Sequence, residues 1–253
     1  GRDLYPILKA NFEKPGHYVN EKVRAEVMRH FGYFMTESTG HLSEYLPYFR
    51  KSQKALDLYC DEPSFGGETV AYYKYCAMLA EKFATTDPLL FESTRLGPRS
   101  AEYASHIIEA KAPGVTFRLT GNVRNDGYIT NLPNGCSVEV PIFVDRLGLH
   151  PTVVGNLPAQ CAALNMTNVL VQGLTVEASF TGDPEMVMQA VALDPLTAAV
   201  LTLKDIREMV AEMLDAERRY LPQFAGKTLR TVPAISVPAG VERAEVPLDP
   251  ALA

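Results

Sequence analysis

Apolar side chains recur at helical spacing at Val23, Val27, Met28, Phe31 and Phe34, which predicts a helix over residues 21–33 capped by Asn20 and ended near Gly32. A short helix is expected in GRDLYPILKANF before it. A further helix is predicted over 68–83, with Val70, Tyr73, Ala77, Leu79 and Phe83 along one side, and another from a Ser100 cap to Ala110, burying Tyr103, Ala104, Ile107 and Ile108. Between them, 61–67 and 84–98 read as loops. After Pro113 the pattern changes to short β-branched and aromatic runs. VTFRLTGNV, DGYITNL and CSVEVPIFV predict three strands, and LHPTVVGNL a further short one. A long helix follows over 158–180, then a Gly182-Asp183-Pro184 turn, a helix in PEMVMQAVAL and a short one opening at Asp194-Pro195. Thr202 and Asp205 form a capping box before an amphipathic helix carrying Ile206, Met209, Val210, Met213 and Leu214, expected to end at Leu221-Pro222. Residues 225–253 read as an extended tail on a surface, or a frayed one. Helices, then strands, then helices predict an α+β fold with a mainly antiparallel sheet, not alternating βαβ units.

The segment TESTGHLSEY concentrates candidate chemistry. In a helical turn from Gly40, His41, Glu44 and Tyr45 stand on one face, with Glu37 one turn earlier. A histidine, two carboxylates and a phenol together can bind a polyol, hold the outer shell of a metal or move protons; they also make an ordinary hydrogen-bonded cluster at a helix end. Asn122, Asn125, Asp126, Gly127 and Asn131 read first as turn residues, with an amide toward a ligand as the alternative. Glu139 and Asp145 bracket a strand, where a solvated face is expected. Asn165, Asn168, Gln172 and Thr175 form a neutral polar stripe on the long helix, either a wet face or a buried or ligand-facing seam. Arg95 and Arg99 either grip an anion or pair with Glu92 and Glu102.

A net charge of −6 gives no nucleic-acid footprint, and no apolar run approaches the roughly 18 residues of a membrane span. Cys60, Cys76, Cys136 and Cys161 include no C-x-x-C and read as reduced, buried thiols of a cytoplasmic protein. Five histidines include no H-E-x-x-H, and no G-x-G-x-x-G follows a strand. The chain shows no complete metal or dinucleotide site of its own. Its abrupt Gly1-Arg2-Asp3 start, without a leader, suggests a preceding segment.

GRDLYPIL, VRAEVMRHFGYFMTESTGHLSEYLPYFRK, GNVRNDGYITNLPNGCSVEVPIFVDRLGLHPTVVGNLPAQCAALNMTNVLVQGLTVEA and QAVALDPLTAAV together resemble family 4 glycoside hydrolases, nearest the α-galactosidase/α-glucosidase branch, to about Phe224. The resemblance implies a C-terminal domain like that of lactate and malate dehydrogenases over 1–224, a tail over 225–253, and a dimer or tetramer. It also implies NAD and Mn²⁺, both held mainly by an N-terminal Rossmann half that is not in this chain. That half would be a same-chain or second-chain partner. The implied reaction oxidises the sugar at C3, removes the C2 proton, eliminates the aglycone and adds water. In relatives the base is a Tyr or an Asp near TESTGH. The register places Ser38 there, and an unaided serine is a weak base, so Glu37 and Tyr45 are the proton carriers expected with it. His41, Glu44, Asn125, Asn131 and Arg99 are the expected sugar contacts, and Arg95 or Arg99 leaves a uronic acid open. The contrasting expectation is a non-catalytic sugar-binding or assembly module, for which the 202–221 helix offers an interface.

Overall fold

The computed structural model describes residues 2–61, 67, 69–86, 99–100, 102–112 and 114–244. Seven helices come first: α1 (Tyr5–Phe12), α2 (Pro15–Tyr18), α3 (Lys22–Phe31), α4 (Thr39–Tyr45), α5 (Gln53–Tyr59), α6 (Ala71–Thr85) and α7 (Ala104–Lys111). Strands β1 (Phe117–Arg124), β2 (Ser137–Asp145) and β3 (Gly148–Pro151) follow, then α8 (Ala159–Thr181), α9 (Pro184–Leu193), α10 (Pro195–Val200) and α11 (Leu203–Ala216). The segregation is that of an α+β fold.

The three strands form an antiparallel meander in the order β1-β2-β3, with Val123 opposite Val138, Leu119 opposite Ile142 and Val144 opposite Leu149. Strand alternation sends Val138, Val140, Ile142 and Val144 to one face, where they pack with Ala110 of α7 and Ala162 of α8. Glu139 lies on the exposed face, and Asp145 bonds His150 Nε2 at 2.8 Å at a sheet corner. DGYITNL is not a strand. Its backbone is held by the Asn125 side chain and one bridge from Ile129 to Gly155, which leaves no room for a ladder.

A second core joins Val23 and Val27 of α3 to Leu42, Leu46, Phe49 and Cys60, so α4 lies on α3. Gly32, at φ 87°, ends α3 and returns its N–H to Met28 O, as its position in the sequence predicts. Asn20 is not the cap: Nδ2 donates back to Gly16 O at 3.2 Å, and α3 starts two residues later. α7 begins at Ala104, not Ser100; Ala110 is buried but Ile108 is exposed. The capping box of Thr202 and Asp205 is present, and the helix ends at Ala216, short of Leu221. Ile206 and Val210 of α11 close on Met188 of α9, while Met209 and Met213 stay exposed. The thiols are free, as expected, but only Cys60 is buried, while Cys76 is exposed.

After α11 the chain returns across the α8–α9 turn. Glu185 takes both Arg207 terminal nitrogens at 2.9 Å and the Arg230 N–H at 2.7 Å, and Lys227 Nζ donates to Gly182 O at 2.8 Å.

Candidate functional site

The candidate site is built on α4. Ser38 is its N-cap, accepting His41 N–H at 3.3 Å, so this hydroxyl is spent on the helix start. Thr39, Gly40, Leu42 and Ser43 are buried on one side of α4, and His41, Glu44 and Tyr45 are exposed on the other. The 3.6-residue period thus delivers the predicted face. Glu37, just outside the helix, reaches it: Glu37 Oε1 meets His41 Nδ1 at 3.1 Å and accepts Ser38 N–H at 2.7 Å. The His41 and Tyr45 rings lie 6.4 Å apart between centroids.

The electrostatics separate the two proton-carrier candidates. The Ser38 backbone N–H, then His41, hold the Glu37 carboxyl below the usual carboxylate range, against some desolvation. Partial burial, then the Glu37 and Glu44 charges, push the Tyr45 phenol up. At neutral pH the site therefore holds an ionised Glu37 carboxylate and an undissociated Tyr45 phenol.

Three residues that sequence reasoning missed hold this face in place. Arg24 of α3 donates through Nε to Glu37 O and through Nη2 to Thr36 O at 2.7 Å. Glu21 accepts Thr39 Oγ1–H at 2.8 Å and pairs with Arg24 at 3.3 Å. Arg50 donates through Nε to Ser43 Oγ at 2.8 Å and through Nη2 to Gly67 O at 2.7 Å, and lies 3.8 Å from Glu44. Gly67, at φ 93°, comes so close that a Cβ there would stand 3.3 Å from Gly40 Cα. An arginine between apolar neighbours, Val23-Arg24-Ala25, was the available signal for Arg24; Arg50, followed by Lys51, carried none.

The other candidates do not join the α4 face. Asn125 is fully buried, and Nδ2 donates to Ile129 O, Leu132 O and Pro133 O at 2.9–3.1 Å while Oδ1 accepts Ile129 N–H. Its amide is consumed by its own loop, which removes it as a sugar contact. Asn131 is spent likewise, bonding Leu157 O and N–H at 2.8 and 2.9 Å. Arg99 bonds Glu109 Oε2 at 2.8 Å and His106 Nδ1 at 3.0 Å, on the helix that covers the sheet. Arg95 lies outside the described residues. Of the polar stripe on α8, Asn168 touches the site, donating to Tyr45 O at 3.4 Å. Two hollows of about 660 and 370 Å³ lie elsewhere, under the strap formed by residues 227–231 and beside the end of α11.

Among the described residues no three His, Cys, Asp or Glu side chains gather to hold a metal. No helix there is long and apolar enough to cross a membrane.

Residues 1–197 match the model of the family 4 glycosyl hydrolase C-terminal domain. The chain belongs to glycosyl hydrolase family 4. This family 4 domain is 40% identical over 224 residues to an alpha-galactosidase of Rhizobium meliloti, covering 86% of this chain and 46% of that protein. It is 28% identical to an alpha-galacturonidase of Lachnoclostridium phytofermentans, covering 88% of this chain and 51% of that protein. The fold matches the putative glucosidase lplD of Bacillus subtilis with a TM-score of 0.68 at 23% identity, over 84% of this chain and 50% of that one. It also matches a 6-phospho-alpha-glucosidase from gut microorganisms in complex with NAD and Mn²⁺, with a TM-score of 0.59 at 19% identity, over 88% of this chain and 51% of that one. The family 4 domain spans about half the length of the curated relatives it matches.

Proposed function

We propose that this domain is the substrate-side half of an α-glycosidase acting on α-galactosides, and that it transfers protons to and from the sugar at the α4 face. The observation that carries this reading is the exposed set of Glu37, His41, Glu44 and Tyr45, held rigid from behind, in a chain of this family. Glu37, ionised and bonded to His41, accepts a substrate proton. Tyr45, kept protonated, donates one to the departing oxygen. His41 and Glu44 present polar atoms to sugar hydroxyls, and Asn168 fixes the Tyr45 backbone.

The described residues fit neither NAD nor Mn²⁺ as a holder, for want of a glycine-rich loop after a strand and of a cluster of metal ligands. We assign both to a dinucleotide-binding half, and no step here runs through them. Arg99 is engaged with Glu109 and His106 on α7, which favours a neutral sugar over a uronic acid. Free thiols fit a reducing, cytoplasmic setting.

The test is exchange of the sugar C2 proton with deuterated solvent, in the chain combined with its dinucleotide-binding half, NAD and Mn²⁺. Glu37→Gln and Tyr45→Phe are each expected to slow exchange or turnover roughly 10²-fold or more with NAD binding unchanged. If both variants exchange and turn over like the parent, the assignment is wrong. If no α-glycoside is cleaved with both cofactors present, the assembly-module reading replaces it.

A further inference from the structure

The strongest unassigned feature is the grip of α3 on the segment that carries Glu37. The Arg24 side chain is 19% exposed and its guanidinium lies 5.3 Å from the Phe34 ring centroid. From there it reaches the carbonyls of both Thr36 and Glu37 and the carboxylate of Glu21. A planar fork can satisfy several acceptors at once in fixed directions, which an ammonium cannot. Glu21 in turn holds Thr39, which is buried.

We propose that Arg24 is a positioning residue that holds the Glu37 carboxylate against the His41 ring by fixing the peptide between Glu37 and Ser38. That peptide is planar, so its C=O and N–H point in opposite directions. Arg24 Nε takes the C=O, and the N–H is thereby turned to the Glu37 carboxylate, which accepts it at 2.7 Å. The same carboxylate oxygen meets His41 Nδ1 at 3.1 Å. One guanidinium thus sets the torsion that aims one carboxylate. The proposal rests on the role given to Glu37 above, but its first readout does not.

That readout is the titration of the Glu37 carboxyl followed by carbon NMR in the 253-residue chain. Arg24→Gln is expected to raise its midpoint toward the ordinary carboxylate value, because the Ser38 N–H and His41 swing away. Arg24→Lys keeps the charge and loses the fork, and is expected to titrate like the Gln variant. Recovery of the parent midpoint by Lys would show a bulk charge effect and overturn the proposal. An unchanged midpoint in folded Arg24→Gln would overturn it too. Should Arg24→Gln fail to fold, Thr39→Val cuts the Glu21 link with little change of shape, and the midpoint is again expected to rise; no rise overturns the proposal. In the assembled enzyme, kcat is expected to fall roughly 10- to 100-fold with KM little changed. An unchanged kcat while the midpoint shifts as expected refutes the role of Glu37 and leaves the positioning intact.

Discussion

At the residue scale, the Asn125 amide shows how one buried polar group fixes a loop. It is 0% exposed and makes four hydrogen bonds to the backbone of residues 129–133. Asn125→Ala leaves those buried groups without partners and is expected to cost about 3 kcal/mol in urea unfolding. Asn125→Asp is expected to cost more, since a carboxylate would face three carbonyls. A loss below about 1 kcal/mol for the Ala variant would mean that water reaches the loop. The N-D-G sequence marked a turn, but not which carbonyls Asn125 would satisfy, because those lie four to eight residues on. His41, Glu44 and Tyr45 were legible for the opposite reason: their spacing alone puts them on one face. Arg24 was not legible, because its partners at 36 and 37 are set by how the chain turns back onto α3.

At the element scale, α4 has seven residues and could not persist alone. It stands because Leu42 enters the α3 core and two arginines hold its back. Hydrophobic period found α3, the β1–β2 pair, α8 and α11, while DGYITNL was mistaken for a strand because a β-branched and aromatic run between turn residues also suits a loop laid on a core. The strap of residues 227–231 was invisible in a Pro- and Ala-rich tail, since one glutamate on α9 makes it. Arg207 first, then the Arg230 N–H, lower the Glu185 carboxyl to about 2, from an ordinary 4.5. A folded value below the unfolded one contributes stability above about 4.5, and that contribution is lost as pH falls toward 2. Glu185→Gln is therefore expected to be less stable by about 1 kcal/mol at pH 7, because solvent screens these surface pairs, with the gap closing as pH approaches 2. Denaturant unfolding at pH 7 and near pH 2.5 checks this; an equal gap at both would show that shape, not charge, holds the strap.

At the scale of the whole molecule, the long helix α8 keeps apolar side chains in solvent. Its residues 159–176 carry no charge, and Leu170, Val176 and Phe180 are 55%, 56% and 88% exposed. A helix stretch this poor in charge, with Leu, Val and Met along it, has an apolar side that is ordinarily covered. The neutral stripe read as a wet face or as a covered or ligand-facing seam, and Asn165, Gln172 and Thr175 are exposed. The same α8 touches Tyr45 through Asn168. A second copy is the occupant expected of the chain by itself, and the parent chain should sediment as a dimer at tens of micromolar. Leu170→Glu should change unfolding stability by no more than about 0.5 kcal/mol, since the side chain is already in water. It should nevertheless sediment as a monomer, because an unpaired carboxylate would have to be desolvated in the interface. A parent chain that stays monomeric at ~100 μM, with Leu170→Glu indistinguishable from it, would exclude a second copy on α8 and leave that face to the dinucleotide-binding half.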